Sequence, residues 1–115
     1  MKILNLSNHV LTTEQVKELK EKGYAEIIEL REDHKKLWGQ LNPSNYKTIS
    51  DDILQAYTYD AIHLAGFLPA TVYVALKATV HCLYAYSPRV CVETPMPDKT
   101  ISKQYIFKHL GFYKY

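Results

Sequence analysis

Short apolar runs alternate with helical segments along the first 86 residues, and this alternation limits the folds open to the chain. The runs are typical of buried β-strands, and the segments between them carry the caps and stop signals of helices. Strands and helices that alternate in this way build a mostly parallel sheet with helices on both faces. The strands are predicted over residues 2–6, 25–30, 62–65 and 82–86.

The first helix has clear signals at both of its ends. Thr12 or Thr13 can cap its start, and Gln15 lies three residues after Thr12, which is the spacing of a capping box. Gly23 follows the last turn, where a glycine commonly ends a helix. Three later helices are predicted over residues 33–41, from Ser50 or Asp51 to Tyr57, and over residues 70–80.

The last predicted helix, over residues 70–80, has an apolar face. Val72, Leu76 and Val80 recur at a spacing of four residues, which is expected of a face that packs against a sheet. Several of its residues are β-branched and have modest helix propensity, so we expect tertiary contacts to hold the helix in place.

The end of the chain predicts a β-hairpin. Residues 89–94 and 102–108 form its strands, Asp98 and Lys99 lie at its tip, and we expect it to extend the edge of the sheet. A chain of this length is large enough to bury one core. The prediction is a single domain over residues 1–115, a minimal Rossmann-like α/β fold with a mostly parallel sheet flanked by helices and a C-terminal β-hairpin.

Composition and charge exclude several classes of protein. No apolar run approaches the ~20 residues that span a bilayer, and the amino terminus lacks a secretory signal, so we expect no membrane association and a cytoplasmic protein. Cys82 and Cys91 lack metal-binding spacing and are expected to be reduced and structural. Residues 60–115 hold 6 Lys or Arg against 3 Asp or Glu. This excess favours a small anion and is too weak for a long nucleic acid.

Small polar side chains follow the first predicted strand. Ser7, Asn8 and His9 occupy the loop between this strand and the first helix. In wound α/β sheets, ligands bind at the carboxyl ends of strands, and these side chains can hydrogen-bond a phosphate or a ribose. We therefore predict that this loop positions a ligand.

A second connection from strand to helix begins at Gly66. A glycine there lets a phosphate approach the backbone and the N-terminus of the next helix, where Thr71 can donate a hydrogen bond. The segment has neither the three glycines of a dinucleotide fingerprint nor a Walker loop. A plain turn glycine at Gly66, and a cap of the first helical turn at Thr71, remain alternatives.

Other candidate side chains are cationic or imidazole groups. Arg89 follows a strand end and can meet a phosphate through two hydrogen bonds, and Lys108 lies beside His109; each can equally face solvent. His63 lies inside a predicted buried strand and is interpreted as a packing residue. No two histidines have the i,i+3 or i,i+4 spacing of a helical metal site, so we predict no metal and no cofactor.

The order of these pieces along the chain resembles that of a known family. The matching pieces are Ser7-Asn8-His9, the helix opening Leu11-Thr12-Thr13-Glu14-Gln15, Lys36-Leu37-Trp38 with Asn42-Pro43, the Gly66 turn with Ala70-Thr71, Tyr84-Ala85-Tyr86, and Phe107-Lys108-His109 with Phe112 and Lys114-Tyr115. Over nearly its whole length, the chain resembles the small single-domain ring-nuclease-type (CARF-like) accessory proteins of type III CRISPR systems.

The resemblance implies a CARF-like homodimer that holds a cyclic oligoadenylate second messenger across its two-fold axis. An isologous interface suits such a symmetric ligand. Proteins similar to this one cleave the ring, here expected to be cyclic tetra-adenylate, without a metal, and this switches off type III antiviral signalling. The family has an acidic residue after the turn glycine, where this chain has Phe67. A binder that does not cleave, acting as a sponge or sensor, and a generic Rossmann-like interaction module therefore remain alternatives.

The side chains named above are sufficient for such a reaction. A ribose 2′-hydroxyl attacks the neighbouring phosphate in line, while the protein aligns the backbone and stabilises charge. We predict His109, Lys108 and His9 as the catalytic residues, since proton transfer by a positioned histidine adds ~10² to 10⁴ in rate. The predicted substrate-binding residues are Ser7, Asn8, Gly66, Thr71 and Arg89.

Overall fold

The computed structural model describes the backbone of residues 1–115 and every side chain except those of Arg89, Val90, Val92, Tyr105 and Phe107. Strands and helices alternate as far as residue 86, and a strand pair and one further strand follow. In chain order the elements are β1 (Lys2–Leu6), α1 (Thr13–Glu21), β2 (Glu26–Glu29), α2 (Glu32–Trp38), α3 (Tyr46–Gln55), β3 (Ala61–Leu64), α4 (Leu68–Lys77), β4 (His81–Tyr86), β5 (Arg89–Pro95), β6 (Ile101–Phe107) and β7 (Gly111–Lys114).

The central sheet has the strand order β2-β1-β3-β4-β7. Its first four strands are parallel, and β7 pairs antiparallel with β4. The chain moves outward from β1 to β2 and then returns to place β3 on the other side of β1. The strand order therefore reverses between β1 and β3, which is the topological switch point of a wound sheet. The predicted Rossmann-like α/β fold is confirmed.

Helices cover both faces of this sheet. On one face, Leu19 of α1 packs with Ile3 and Leu83. On the other face, helices α2, α3 and α4 pack over the neighbouring strand residues, such as Leu4. Successive strand residues point to opposite faces, so strands buried on both sides show continuous apolar runs in the sequence.

Helix α1 has the ends that its sequence predicts. Thr12 is the N-cap, and its side chain and that of Gln15 form the reciprocal capping box. Gly23 follows the helix with φ +99°, a left-handed conformation that costs a glycine little. In this conformation the amide of Gly23 donates to the carbonyl of Lys20, and that of Tyr24 donates to the carbonyl of Leu19.

The predicted start of α3 at Ser50 or Asp51 is wrong. The helix begins at Tyr46, because the side chain of Asn42 accepts hydrogen bonds from the amides of Ser44 and Asn45 and turns the chain into the helix one turn earlier. Ser50 is a buried residue inside α3.

The predicted buried face of α4 is also wrong. Ala70, Thr71 and Val74 face the core, whereas Val72 is 49% and Leu76 is 83% exposed. Apolar residues lie on both sides of this helix, so their spacing does not distinguish the side that meets the sheet.

The hairpin at the end of the chain forms apart from the central sheet. Strands β5 and β6 pair antiparallel as a separate two-stranded sheet, and Lys99, with φ +69°, lies in the tip where the sequence predicts it. The expectation that the hairpin extends the sheet edge is wrong. β7 takes that edge and buries Phe112 in the smaller core.

Two further findings concern membrane-spanning helices and the two cysteines. Among the described residues, no helix is long and apolar enough to cross a membrane. Both cysteines are free, with Cys82 buried in the larger core and Cys91 exposed on β5.

Candidate functional site

A cavity of about 980 Å³ opens at the carboxyl ends of β1, β3 and β4. His9 after β1, Ala65 and Gly66 after β3, and Ser87 after β4 all line it. Its volume lies at the upper end of the range for small-molecule sites. The switch point between β1 and β3 lies at this edge of the sheet, where wound α/β proteins bind their ligands.

The walls of the cavity come from the first turns of two helices and from the aromatic edge of the sheet. The start of α1 supplies Thr12 to Gln15, and the start of α4 supplies Leu68 and Thr71. Tyr84 of β4 and Tyr115 after β7 close the remaining side. Their rings lie 5.2 Å apart in an edge-to-face arrangement.

The buried side-chain amide of Asn5 connects several residues at the base of the cavity by hydrogen bonds. The Oδ1 atom of Asn5 accepts from the hydroxyl of Ser7 (2.6 Å) and lies 2.9 Å from Nδ1 of His63. Its Nδ2 atom donates to the carbonyl of His9 (3.1 Å) and to the carboxylate of Glu29 (3.0 Å). Each of these contacts satisfies a polar group that would be costly to bury alone, so the loop after β1 is held in one conformation.

His63 is buried and hydrogen-bonded, as its position in a buried strand predicts, and it also lines the cavity. Its ring packs edge-to-face against Phe112 at 5.5 Å. Burial lowers the pKa of His63 from 6.5 to about 4, with a smaller contribution from the nearby His9 and His109. The imidazole is therefore neutral at neutral pH.

His109 reaches the cavity and is held there by two residues of α1. Its Nε2 atom lies 3.1 Å from Oε1 of Glu18, and its Nδ1 atom lies 3.4 Å from Nε2 of Gln15. Because Oε1 of Gln15 accepts from the amide of Thr12, Nε2 of Gln15 is the donor to the ring. The hydrogen on the neutral ring of His109 therefore lies on the nitrogen that faces Glu18.

Two of the predicted cationic residues stand apart from this arrangement. Lys108 is exposed and does not line the cavity, while its backbone amide donates to the carbonyl of Pro88. The side chain of Arg89 lies outside the described residues. Among the described residues, the cavity lining contains histidine and glutamate side chains but no Lys or Arg.

The polar groups of Ser7 and Asn8 are occupied by internal hydrogen bonds. The buried hydroxyl of Ser7 donates to Asn5 and accepts from the amide of His9 (3.2 Å). In the amide orientation that satisfies both partners, Asn8 donates to the carbonyl of Lys35 (2.9 Å) and accepts from the amide of Gly39 (3.0 Å), which caps the end of α2. Of the three loop residues, His9 is the one that lines the cavity.

Gly66 and Thr71 both line the cavity beside the start of α4. Gly66 has φ +147°, and a Cβ atom there would lie 2.8 Å from Nε1 of Trp38, which itself donates to the carbonyl of Ala65 (2.9 Å). The hydroxyl of Thr71 donates to the carbonyl of Leu68 (2.8 Å), so it is bonded within the first turn and caps no free amide of the helix. No described side chain caps the N-terminus of α4, and its first turn holds no acidic residue.

Sequence reasoning missed several residues of this site, among them Asn5, Gln15 as a partner of His109, Glu18, Tyr84 and Tyr115. The spacing of Gln15 and Glu18 places them on one face of α1, but their partner lies more than ninety residues away. The described side chains contain no group of three or more His, Cys, Asp or Glu that could hold a metal ion.

Comparison with known proteins identifies a family. No curated protein and no solved structure matches the chain. A model of the family described as the uncharacterized protein MJ1673 family matches residues 1–113. The match spans almost all of the sheet, both of its helical layers and every described residue of the cavity lining except Tyr115. The chain is a member of the MJ1673 family.

Proposed function

We propose that this protein binds a cyclic oligoadenylate in the cavity at the β1–β3 switch point and opens the ring to linear fragments. The position of the cavity carries the proposal, because nucleotides bind at such points in wound α/β sheets. The family resemblance of the sequence supplies the class of nucleotide. We expect a protein with this role to act in the cytoplasm.

The start of α4 is the better of two positions for a phosphate. The N-terminus of a helix attracts anions, and both α1 and α4 begin at the cavity. Helix α1 carries Glu14 in its first turn and has a complete capping box. Helix α4 has neither, and Gly66 lines the cavity beside its start. Tyr84 and Tyr115 then provide faces on which an adenine can stack.

A homodimer supplies the symmetry that a cyclic ligand needs. Leu68 is 72% and Leu76 is 83% exposed on α4, and Tyr84 and Tyr86 are exposed on the neighbouring strand β4. Leu68 and Tyr84 also line the cavity. Pairing of this apolar surface with that of a second copy would bring two cavities together across a two-fold axis.

The proposed reaction is attack of a ribose 2′-hydroxyl on the adjacent phosphorus. The new O2′–P bond forms as the P–O5′ bond breaks, which leaves a 2′,3′-cyclic phosphate and a 5′-hydroxyl and requires no metal. The 2′-hydroxyl gives up its proton to a base, for which Nδ1 of His109 is the candidate because the ring carries its hydrogen on the other nitrogen. The departing O5′ takes up a proton, for which His9 is the candidate donor in the cavity. The contact between His109 and Gln15 is long for a hydrogen bond, so a ligand can replace it.

The decisive experiment is incubation with cyclic tetra-adenylate or cyclic hexa-adenylate, with and without a chelator, followed by chromatographic separation of products. We expect linear fragments to accumulate from one ring at the same rate in both conditions. Rings that remain intact after prolonged incubation with excess protein would refute cleavage.

Binding without cleavage is the second candidate, and one observation favours it. Among the described residues the cavity lining lacks a lysine or arginine to stabilise the developing charge, although such groups commonly do so in phosphoryl transfer. A thermal shift distinguishes the candidates, since a tight ligand raises stability whether or not it is cleaved. Stabilisation without turnover identifies a sponge or sensor, and no stabilisation identifies an interaction module.

A further inference from the structure

We infer that Nε2 of His63 accepts a hydrogen bond from a ribose hydroxyl of the ligand, so that the cavity selects ribonucleotides over deoxyribonucleotides. The inference rests on the proposed function for the identity of the ligand. The first part of the inference, namely which nitrogen of His63 carries the hydrogen, concerns the free protein alone.

The state of the ring follows from the orientation of the Asn5 amide. The carbonyl of His9 can only accept a hydrogen bond, so the atom of Asn5 that faces it, at 3.1 Å, is the NH₂ group. The carboxylate of Glu29 faces the same NH₂ group at 3.0 Å. The other end of the amide is therefore the oxygen, and it faces Nδ1 of His63 at 2.9 Å.

An amide oxygen can only accept, so Nδ1 of His63 carries the hydrogen. The neutral ring then has a bare lone pair on Nε2. Among the described groups, none forms a hydrogen bond with that nitrogen, whereas both nitrogens of His109 have partners. His63 is 3% exposed and lines the cavity. Because Asn5 occupies one edge of its ring and Phe112 packs against the ring, the cavity is the side that remains for Nε2.

A buried acceptor in a binding site selects for donors. A nucleotide offers two kinds, the hydroxyls of ribose and the amine of adenine. His63 lies three residues before Gly66, next to the position proposed for a phosphate, and a ribose hydroxyl is the donor closest to a phosphate. Tyr84, on which the base can stack, follows Leu83, the register partner of His63. Its side chain therefore lies on the opposite face of the sheet from His63, and Tyr115 packs against it there. The hydroxyl is therefore the donor assigned to His63.

The state of the ring can be measured without any ligand. Nitrogen-15 NMR of the imidazole groups at pH 7 distinguishes a hydrogen on Nδ1 from one on Nε2. We expect His63 to carry its hydrogen on Nδ1 in the free protein. A hydrogen on Nε2, or an average of both forms, would overturn the inference whatever the ligand is.

The selectivity is tested by the affinity of three rings: cyclic tetra-adenylate, its 2′-deoxy analogue, and the ring with hypoxanthine in place of adenine. We expect the wild type to bind the ribose ring at least ~10-fold more tightly than the deoxy ring, because an unpaired buried acceptor is costly. His63→Phe should lose this preference, and His63→Gln, whose amide can donate to Asn5 and still accept, should keep part of it.

His81→Phe is the matched control, since His81 is an exposed histidine at the opposite end of the parallel strands, and it should keep the full preference. Equal affinity of the wild type for the ribose and deoxy rings overturns the inference and leaves the proposed function intact. A preference that follows the base instead of the sugar also overturns it. If no ring binds, the proposed function and the ribose assignment fail together, while the NMR result still decides the state of His63.

Discussion

The Nε2 atom of His109 lies 3.1 Å from the carboxylate of Glu18, although 91 residues separate the two in the chain. The second oxygen of Glu18 accepts from the backbone amide of Phe112 at 2.7 Å. One side chain of α1 thus holds both the histidine of the cavity and the start of the edge strand β7. The position of His109 therefore depends on the packing of β7 against α1, and not on the residues that neighbour His109 in the sequence.

Replacement of Glu18 should destabilise the protein. In Glu18→Ala the amide of Phe112 loses its partner in a partly buried place, which costs about 1–3 kcal/mol of unfolding free energy. Chemical denaturation measures this loss. Glu21→Ala, which removes an exposed carboxylate from the same helix, should change stability by less than about 0.5 kcal/mol. Equal stability of the two variants would show that the Glu18 contacts contribute nothing.

Replacement of His109 should slow ring opening. We expect His109→Ala to reduce the single-turnover rate at least ~10-fold, the low side of general acid–base effects. Lys108→Ala should have a smaller effect because the side chain of Lys108 does not line the cavity. Wild-type rates in both variants would make the segment between β6 and β7 structural and would remove it from the catalytic site.

Stability should fall as the pH drops from about 6.5 to about 4, in part because of His63. The unfolded chain takes up a proton near pH 6.5, whereas burial holds the pKa of the folded imidazole at about 4. The unfolded state then binds more protons, and by pH 4 the folded state has lost roughly 3 kcal/mol relative to neutral pH. Above pH 6.5 neither state is protonated, and this contribution disappears.

Denaturation at several pH values isolates the contribution of His63. His63→Gln should have a flatter pH dependence than the wild type between pH 6.5 and 4, and His81→Gln, at an exposed position, should follow the wild type. A His63→Gln variant with an unchanged pH dependence would contradict the assignment of a neutral, buried imidazole.

Gly66→Ala should be strongly destabilising. Its φ of +147° is a conformation that L-residues rarely adopt, and the new Cβ would lie 2.8 Å from the indole nitrogen of Trp38. Backbone strain of this kind costs about 1–3 kcal/mol before the clash is counted. Gly111→Ala is the matched control, since its nearest neighbour would lie at 3.5 Å. Thermal melts that fall equally for the two variants would rule out a special role for Gly66.

The exposed face of α4 should mediate dimerisation. Leu76→Glu places a charge on the proposed interface, so we expect light scattering to report a dimer for the wild type at micromolar concentration and a monomer for the variant. Leu37→Glu alters an exposed leucine on α2 and should leave the dimer intact. A wild type that is monomeric with and without cyclic tetra-adenylate would exclude the proposed pairing.

The residues along the chain were enough to predict several features that depend on near neighbours, although the Asn42 turn that begins α3 was missed. The capping box of Thr12 and Gln15, the glycine after α1 and the hairpin tip at Lys99 involve residues at most a few positions apart, and all three are confirmed. The parallel sheet was predictable for a related reason. Apolar runs separated by helices have few other ways to bury both of their faces.

The composition of the cavity instead depends on strand order and register, to which distant parts of the chain contribute. Asn5 meets His63 because β1 and β3 are neighbours in register, and His109 meets Glu18 because β7 takes the edge beside β4. The buried face of α4 could not be predicted from the sequence either. Both sides of that helix are apolar, and only its contact with the sheet decides which side is buried. Local periodicity reports which residues can be buried, and the partner of each is set by how the assembled sheet brings distant segments together.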